Sequence, residues 1–312
     1  RCRVVGEGGN LGLTQLARVE YSLRGGLVYT DAIDNSAGVD CSDHEVNIKI
    51  LLDKVVSNGD MTSKQRNRLL VEMTDDVAKL VLADNYAQTQ AISIVVAGGA
   101  QRMYEQARFI DLLEQTGRFD RRLEGLPEKK ALTERLALDQ GLTKPEVAVL
   151  LAYSKMNYFE AVVASDVPDD PVVLDRLIRY FPPILGERFP DAIEAHRLRR
   201  EIIATAVAGD IADHIGPGVG FRVREEVGCE IEDIARAYLV VVATFEADPG
   251  DLVVSVHACG ALTDEVLNIA LSARCRVAVV PCCHDLALCD TGGLLNWMDG
   301  PLAVDAMRVA RL

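Results

Sequence analysis

The chain has 312 residues, and its 33 basic and 47 acidic residues give a net charge of −14 at pH 7. This balance disfavours nucleic acid as a partner, because an acidic surface repels phosphates, and it fits a cytoplasmic location. No run of eighteen apolar residues predicts a membrane span, and no signal peptide is expected at the N-terminus.

The chain opens on a short apolar strand, followed by a glycine-rich loop and an amphipathic helix predicted over residues 13–23. In a dinucleotide-binding turn Gly6 permits the sharp bend, while Gly8 and Gly9 let a pyrophosphate approach the backbone. Gly12 lets the helix pack close to the strand, and the helix N-terminus attracts the phosphates. The candidate cofactor-binding residues of the loop are Gly6, Gly8, Gly9, Asn10, Leu11 and Gly12. The alternative is a glycine-rich turn without a ligand, since the spacing is longer than the commonest form.

A second strand is predicted over residues 27–33, and two acids lie at and just beyond its end. Asp31 and Asp34 follow the glycines by about twenty residues, where an acid accepts hydrogen bonds from the adenosine ribose hydroxyls. A carboxylate there repels a 2′-phosphate and so favours NAD over NADP. The alternative for either residue is a helix cap or a loop acid.

Small residues at positions 36–38, Ser36 among them, follow the predicted second strand. They would lie at the sheet edge where parallel sheets bind their ligands. Ser42 or Asp43 is predicted to cap a helix that begins near His44. His44 is either a catalytic base near this helix start or, more commonly for a lone histidine beside acids, a solvated or hydrogen-bonded residue.

From residue 61 to about residue 238 the pattern is helical almost throughout. Thr62 or Ser63 is predicted to open one helix, and Thr143 to open another because proline and glutamate follow it as in a capping box. The glycines of residues 216–220 have the spacing of a cofactor loop. Because helical sequence precedes them, they are predicted to end a helix instead.

Three segments carry a resemblance to a known family: VGEGGNLGLT at residues 5–14, DNSAGVDCSDHEVNIKI at 34–50 and DNYAQTQ at 84–90. They resemble the large bacterial NAD-specific glutamate dehydrogenase, and the match extends to about residue 240. The resemblance implies oxidative deamination of L-glutamate to 2-oxoglutarate and ammonia, with NAD as hydride acceptor, by a homo-oligomer. It also implies that Asn35 and Ser36 approach the nicotinamide end of the cofactor.

The chain begins directly on a strand, so we expect it to be a piece of a longer protein. In the family that it resembles, a lysine and an acid of a preceding substrate domain polarise the substrate and move protons. That domain is expected upstream of Arg1, so the catalytic residues are not assigned, and Lys49 and Lys54 are poor substitutes. We therefore expect the isolated chain to bind NAD weakly and to show no turnover.

The last seventy residues are predicted to form a strand–helix–strand unit with strands at 252–256 and 276–280. The phrases HACG at 257–260 and PCCH at 281–284 resemble the later half of a methyltransferase domain that uses S-adenosylmethionine. The glycine-rich cofactor loop of such a domain is missing from the preceding sequence. The junction near Val240 is therefore either a genuine fusion or a misassembled reading frame.

The eight cysteines are not spaced as a disulfide framework, so reduced thiols are expected. A cluster near the C-terminus invites a metal interpretation, but it contains no Cys-x-x-Cys pair. Side chains that line a cleft are the favoured alternative, and no metal site is predicted. The cluster comprises His257, Cys259, Cys282, Cys283, His284 and Cys289.

The predicted fold class is α/β, with three parts. They are a Rossmann-like NAD-binding part over residues 1–58, an all-helical region over 59–240 and a short parallel α/β fragment over 241–312. Three functions remain open at this point: a segment of a glutamate dehydrogenase, a methyltransferase-type domain with a helical extension, and a non-catalytic helical fragment.

Overall fold

The computed structural model describes residues 2–117, 119–244, 252–256 and 276–280. The chain divides into two compact units, Arg1–Val240 and Val241–Leu312. The helices of the first half are α1 (Gln15–Leu23), α2 (Asp31–Asp34), α3 (Ser36–Ser57), α4 (Ser63–Glu72), α5 (Thr74–Ala97), α6 (Met103–Gln115) and α7 (Lys129–Ala137). They are followed by α8 (Lys144–Ala164), α9 (Leu174–Tyr180), α10 (Pro183–Arg188), α11 (Pro190–Glu194), α12 (Arg199–Ile215), α13 (Val219–Val227) and α14 (Ile231–Thr244). Short 3-10 helices lie at Gly99–Arg102, Val167–Asp169 and Pro171–Val173.

Local signals in the sequence set several helix starts, among them those of α4 and α8. Thr62 opens α4 and Thr143 opens α8, as predicted. The capping box predicted at Thr143 forms with Glu146, and Thr62 forms a second capping box with Gln65 that was not predicted. The all-helical prediction for the middle of the chain is confirmed over its described residues.

The core of the first unit is built around α8, which packs against α5 and α12. The α8 residues turned into this core are Val147, Ala148, Leu150, Leu151, Tyr158 and Val162. Among the described residues α8 is the one helix with the length and hydropathy of a membrane span. Because α8 is surrounded by other helices and buries a charged glutamate, its apolar composition is that of a core helix.

The Rossmann-like sheet predicted for residues 1–58 does not form within the described part of that range. Its β pairing is a single parallel bridge between Val4 and Leu27, closed by hydrogen bonds from Val5 N to Leu27 O (2.9 Å) and from Leu27 N to Arg3 O (2.8 Å). The predicted second strand is cut short because the Thr30 side chain caps the one-turn helix α2. A helix turn therefore occupies the last residues of the expected strand.

The helix that was predicted to begin near His44 instead begins at Ser36, two turns earlier. Ser42 and Asp43 are consequently inside α3 and not at its start. Ser42 donates its hydroxyl hydrogen to Gly38 O (3.0 Å), a bond typical of serine within a helix. The polar residues of this segment therefore lie on a helix and not at a sheet edge.

The glycines of residues 216–220 end one helix and begin the next, as predicted. Gly216 follows α12 with a φ of 84°, a conformation that favours glycine. A Cβ atom on Gly220 would overlap the hydroxyl group of Tyr158, which is buried. Helix termination and close packing account for these glycines without a cofactor.

The second unit contains two strands, β1 (Leu252–Val256) and β2 (Arg276–Val280), which pair in parallel with Leu252 opposite Arg276. Both strands were predicted at these positions, and a parallel pair matches the predicted arrangement. The cysteine and histidine cluster from His257 to Cys289 lies outside the described residues.

A partly buried ion pair joins α7 to the start of α8. Glu146 is fully buried and accepts two hydrogen bonds from the guanidinium of Arg135, at 2.8 and 2.9 Å. The same carboxylate accepts from the backbone N–H and the hydroxyl of Thr143, each at 2.7 Å. Glu146 therefore serves both the helix cap and the contact between the two helices.

We predict that Glu146→Gln lowers the free energy of unfolding by about 3 kcal/mol, because it leaves the Arg135 side chain, which is only 13% exposed, without a counter-charge. Chemical denaturation of the full chain measures this change. The matched control is Glu134→Gln on α7, whose pair with Lys130 is 3.8 Å long and exposed, and there the change should stay below about 0.5 kcal/mol. Equal losses in the two variants would contradict the role given to Glu146.

Candidate functional site

The glycine-rich loop connects the Val4 bridge to α1, and most of its glycines face open space. A Cβ atom built on Gly6, Gly8 or Gly9 would meet no other atom within 4 Å. None of these three glycines has a positive φ. The left-handed residue of the loop is Leu11, with a φ of 61° and an exposed side chain. The space above the glycines is thus free of side chains.

A buried ion pair lies beneath the loop. Arg18 on α1 donates from Nε and Nη2 to the two carboxylate oxygens of Glu7, both at 2.8 Å. The Glu7 carboxylate also accepts from the N–H of Leu13 at 2.7 Å, directly before the Thr14 cap of α1. A Cβ atom on Gly12 would lie 3.1 Å from Glu7 Oε1. Gly12 is therefore explained by the close approach of the Glu7 carboxylate.

The charges of this pair stabilise each other. Hydrogen bonding to Arg18 holds the pKa of Glu7 below its ordinary value, although burial acts in the opposite direction. The same hydrogen bond raises the pKa of Arg18, again against the effect of burial. Both groups are ionised at neutral pH, so the loop is attached to α1 by two charge-assisted hydrogen bonds.

Asp31 and Asp34 hold the loop from the other side. Asp34 Oδ2 accepts from the N–H of Glu7 at 2.7 Å, and Asp31 Oδ2 accepts from the N–H of Leu11 at 2.9 Å. The second oxygen of Asp31 accepts from Ala32 N at 2.9 Å and lies 3.3 Å from Arg18 Nη2. Both oxygens of Asp31 are thus engaged within the chain, which favours the alternative of a loop acid for this residue.

Asn35 and Ser36 extend the contacts from the loop to α5. Asn35 Nδ2 donates to Asn10 Oδ1 at 3.1 Å, so the predicted nicotinamide-end residue touches the glycine loop itself. The Ser36 hydroxyl contacts the side-chain oxygen of Asn85 and accepts from Gln88 Nε2 at 2.8 Å. The structure therefore brings the three sequence segments that carry the family resemblance into one place.

His44 does not lie in this group. It is buried on α3, 2% exposed, with its Nε2 3.7 Å from Asp40 Oδ1. Burial lowers the pKa of His44, so its imidazole is neutral at pH 7. Lys49 and Lys54 lie further along the same helix, where Lys49 pairs with Glu45 on the surface.

Sequence reasoning missed four residues that shape the site: Glu7, Arg18, Asn85 and Gln88. An acid between glycines and an arginine on the following helix give a weak signal, because charged residues are common at both places. Asn85 and Gln88 lie in a segment that carries the resemblance, but nothing in their spacing indicates a contact with Ser36. These contacts depend on the tertiary structure.

Comparison with known proteins identifies two families along the chain. Residues 1–95 match the family described as "Bacterial NAD-glutamate dehydrogenase, catalytic domain", and residues 139–279 match "Glutamate dehydrogenase, C-terminal". Proteins named NAD-specific glutamate dehydrogenase from Halomonas elongata and Pseudomonas aeruginosa are each 51% identical over 245 residues, 78% of this chain and 15% of theirs. The protein of that name from Mycobacterium tuberculosis is 44% identical over 308 residues, 98% of this chain and 18% of its own. The chain thus spans less than a fifth of the length of these relatives.

These matches correct the interpretation of the C-terminal region. The second family continues through residue 279, and the Mycobacterium tuberculosis relative aligns over nearly the whole chain. A methyltransferase-like fragment after residue 240 is therefore not supported, nor is a break in the resemblance near Tyr238. The HACG and PCCH phrases were too short to distinguish a methyltransferase domain from other α/β proteins, because a strand followed by small and polar residues occurs in many of them.

We predict that Glu7→Gln lowers the free energy of unfolding by about 3 kcal/mol at pH 7, because it removes the buried carboxylate that pairs with Arg18. This value is at the low end for a broken buried pair, since Asp31 remains 3.3 Å from the guanidinium. Chemical denaturation of the full chain measures the change. Glu20→Gln is the matched control, since Glu20 pairs with Arg24 at the surface of the same helix, and its effect should stay below about 0.5 kcal/mol.

The destabilisation by Glu7→Gln should become smaller as pH falls. Because the pKa of Glu7 is lowered in the folded chain, its contribution is complete above the unfolded pKa and is lost as pH falls through the folded pKa. The wild type and the variant should therefore converge in stability under acid conditions. A difference that stays constant or grows as pH falls would contradict an ionised Glu7.

Proposed function

We propose that this chain binds the phosphates of NAD in a bacterial NAD-specific glutamate dehydrogenase, because it carries parts of the catalytic and C-terminal domains of that family. The proposed phosphate site is the glycine loop of residues 6–12, which we call the cradle. In this reaction a hydride leaves the Cα atom of L-glutamate for NAD and the amino group loses a proton. Water then hydrolyses the resulting imine to 2-oxoglutarate and ammonia. The names of the relatives support the cofactor and the substrate class.

The observation that carries this proposal is the open space above Gly6, Gly8 and Gly9. A glycine is required in a protein by a positive φ, by close packing or by the approach of another molecule. The first two reasons do not apply to these glycines among the described residues. The approach of a pyrophosphate to the backbone is the reason that remains, and it fits a loop directly before a helix N-terminus.

The charges around the loop support NAD over NADP. Arg18 pairs with Glu7 and also lies 3.3 Å from Asp31. Among the described residues no second arginine or lysine forms an ion pair with Asp31 or Asp34, so three carboxylates share one positive charge. The rim of the cradle is therefore negative, and a 2′-phosphate would be repelled there. We assign Asp31 and Asp34 a role in shaping the loop, and we assign Asp34 the ribose hydroxyl, since both oxygens of Asp31 are engaged within the chain.

The finer parts of the assignment follow from the family. We assign Asn35 and Ser36 to the nicotinamide end, since Asn35 joins the loop through Asn10. The Val4–Leu27 bridge would be the beginning of a Rossmann-like sheet, with domain boundaries near residues 58 and 240. The enzyme would work as a cytoplasmic homo-oligomer.

The alternative is a helical fragment without a ligand. It requires three glycines of one loop, Gly6, Gly8 and Gly9, to face open space by chance. It also requires the polar contacts of Asn10, Asn35 and Ser36 to serve packing alone. The matches to families of a dinucleotide-dependent enzyme weigh against it.

We predict that Gly8→Val weakens NAD binding by about tenfold or more, because the added side chain fills the space that the phosphates would occupy. Fluorescence titration of the full chain with NADH, and competition by NAD, measures the dissociation constants. Gly209→Ala is the control, since a Cβ atom there also meets no neighbour but lies on α12, away from the loop.

The control variant should bind NADH as the wild type does, and S-adenosylmethionine should not compete. A wild-type chain that binds no NADH, or a Gly8→Val variant with unchanged affinity, would contradict the proposed cradle.

A further inference from the structure

A second polar group lies one helical turn beyond Ser36, outside the contacts of the glycine loop. Asp40 and His44 are four residues apart on α3 and therefore share one helix face. Asp84 reaches the same point from α5. One ligand atom from each of the three residues lies within 4.8 Å of the other two.

The imidazole of His44 is buried and lacks a hydrogen-bond partner. Its Nδ1 has no partner in the structure, and its Nε2 is 3.7 Å from Asp40 Oδ1, which is too far for a hydrogen bond. Stacking on Tyr180, with ring centroids 4.5 Å apart, fixes the plane of the ring. Buried ring nitrogens in proteins are normally satisfied, so this geometry points to a missing partner.

The carboxylates of the group are also short of positive charge. Asp40 Oδ2 is buried without a hydrogen-bond partner. Lys155 is the nearby cation, but it pairs with Asp213 at 2.9 Å. Among the described residues neither Asp40 nor Asp84 forms an ion pair with a lysine or an arginine.

We propose that Asp40, His44 and Asp84 bind a divalent first-row transition-metal ion. One imidazole nitrogen and two carboxylate oxygens are the mixed donor set that such ions accept, whereas Mg²⁺ prefers oxygen alone. Two ligand atoms of a tetrahedral site lie about 3.4 Å apart, given metal–ligand bonds of about 2.1 Å. The group approaches this spacing, and Asp84, which lies at the solvent-facing rim, would move inward to complete the site.

The bound ion would connect α3 to α5 beside the contact of Ser36 with Asn85. It would supply the partner that the buried His44 ring lacks and neutralise the two carboxylates. This inference does not rest on the proposed cofactor site, because none of its three ligands contacts the glycine loop.

Manganese binding to the full chain tests the proposal. Mn²⁺ is the probe because the eight cysteines would compete for a softer ion such as Zn²⁺. Electron paramagnetic resonance of free Mn²⁺ counts the bound ions. We expect one site in the wild type, and a loss of affinity of about tenfold or more in Asp84→Asn, since even outer-shell changes weaken metal sites by that factor.

Asp75→Asn is the control, because it makes the same charge change at an exposed position of α5 outside the group. The control should bind Mn²⁺ as the wild type does. Mn²⁺ should also raise the melting temperature of the wild type and the control but not that of Asp84→Asn. A cooperative melting transition of Asp84→Asn without metal checks that this variant is folded. A wild-type chain that binds no Mn²⁺, or equal binding by Asp84→Asn, overturns the proposal in favour of carboxylates that share protons.

Discussion

The hydrogen-bonded ion pair of Glu7 and Arg18 is the constraint on which the site depends. It is buried under the glycine loop, and the same carboxylate holds the N–H of Leu13 at the start of α1. Because each charge is desolvated, neither residue is stable there without the other. The chain's own carboxylates therefore set the shape of the loop before any ligand arrives, and Asp31 and Asp34 complete this arrangement.

In this arrangement two loop N–H groups that a phosphate site would leave free are bonded to side chains of the protein. Backbone N–H groups at Glu7 and Leu11 point to carboxylates of the protein, while Gly8 and Gly9 are turned to open space. From Asn10 the polar contacts continue through Asn35 and Ser36 to α5. One network thus joins the loop, the start of α3 and α5. The second polar group at Asp40 and His44 lies one turn further along α3.

The sequence predicted the features that short-range chemistry decides. The caps at Thr62 and Thr143 and the break after α12 at Gly216 were correct, because each depends on residues within one helical turn. The strand over residues 27–33 and the start of α3 were wrong. There Thr30 caps a helix turn, and the Asp31 and Asp34 carboxylates accept hydrogen bonds from backbone N–H groups 20 and 27 residues away, respectively. The loop glycines were proposed from their pattern and stay a prediction, whereas the pattern did not indicate the contacts of Glu7 and Arg18. No pattern in the sequence encodes which side chain will lie beneath a loop.

The open face of the glycine loop is proposed to receive the phosphates of a dinucleotide. Selective ¹⁵N-glycine labelling of the full chain tests this binding directly, since the amide signals of Gly8 and Gly9 report on a ligand at that face. On addition of NAD we predict chemical-shift changes that are largest at these two glycines, while Gly216 and Gly220 stay unchanged. Shifts confined to glycines outside the loop, or no shift at Gly8 and Gly9 at saturating NAD, would contradict the claim.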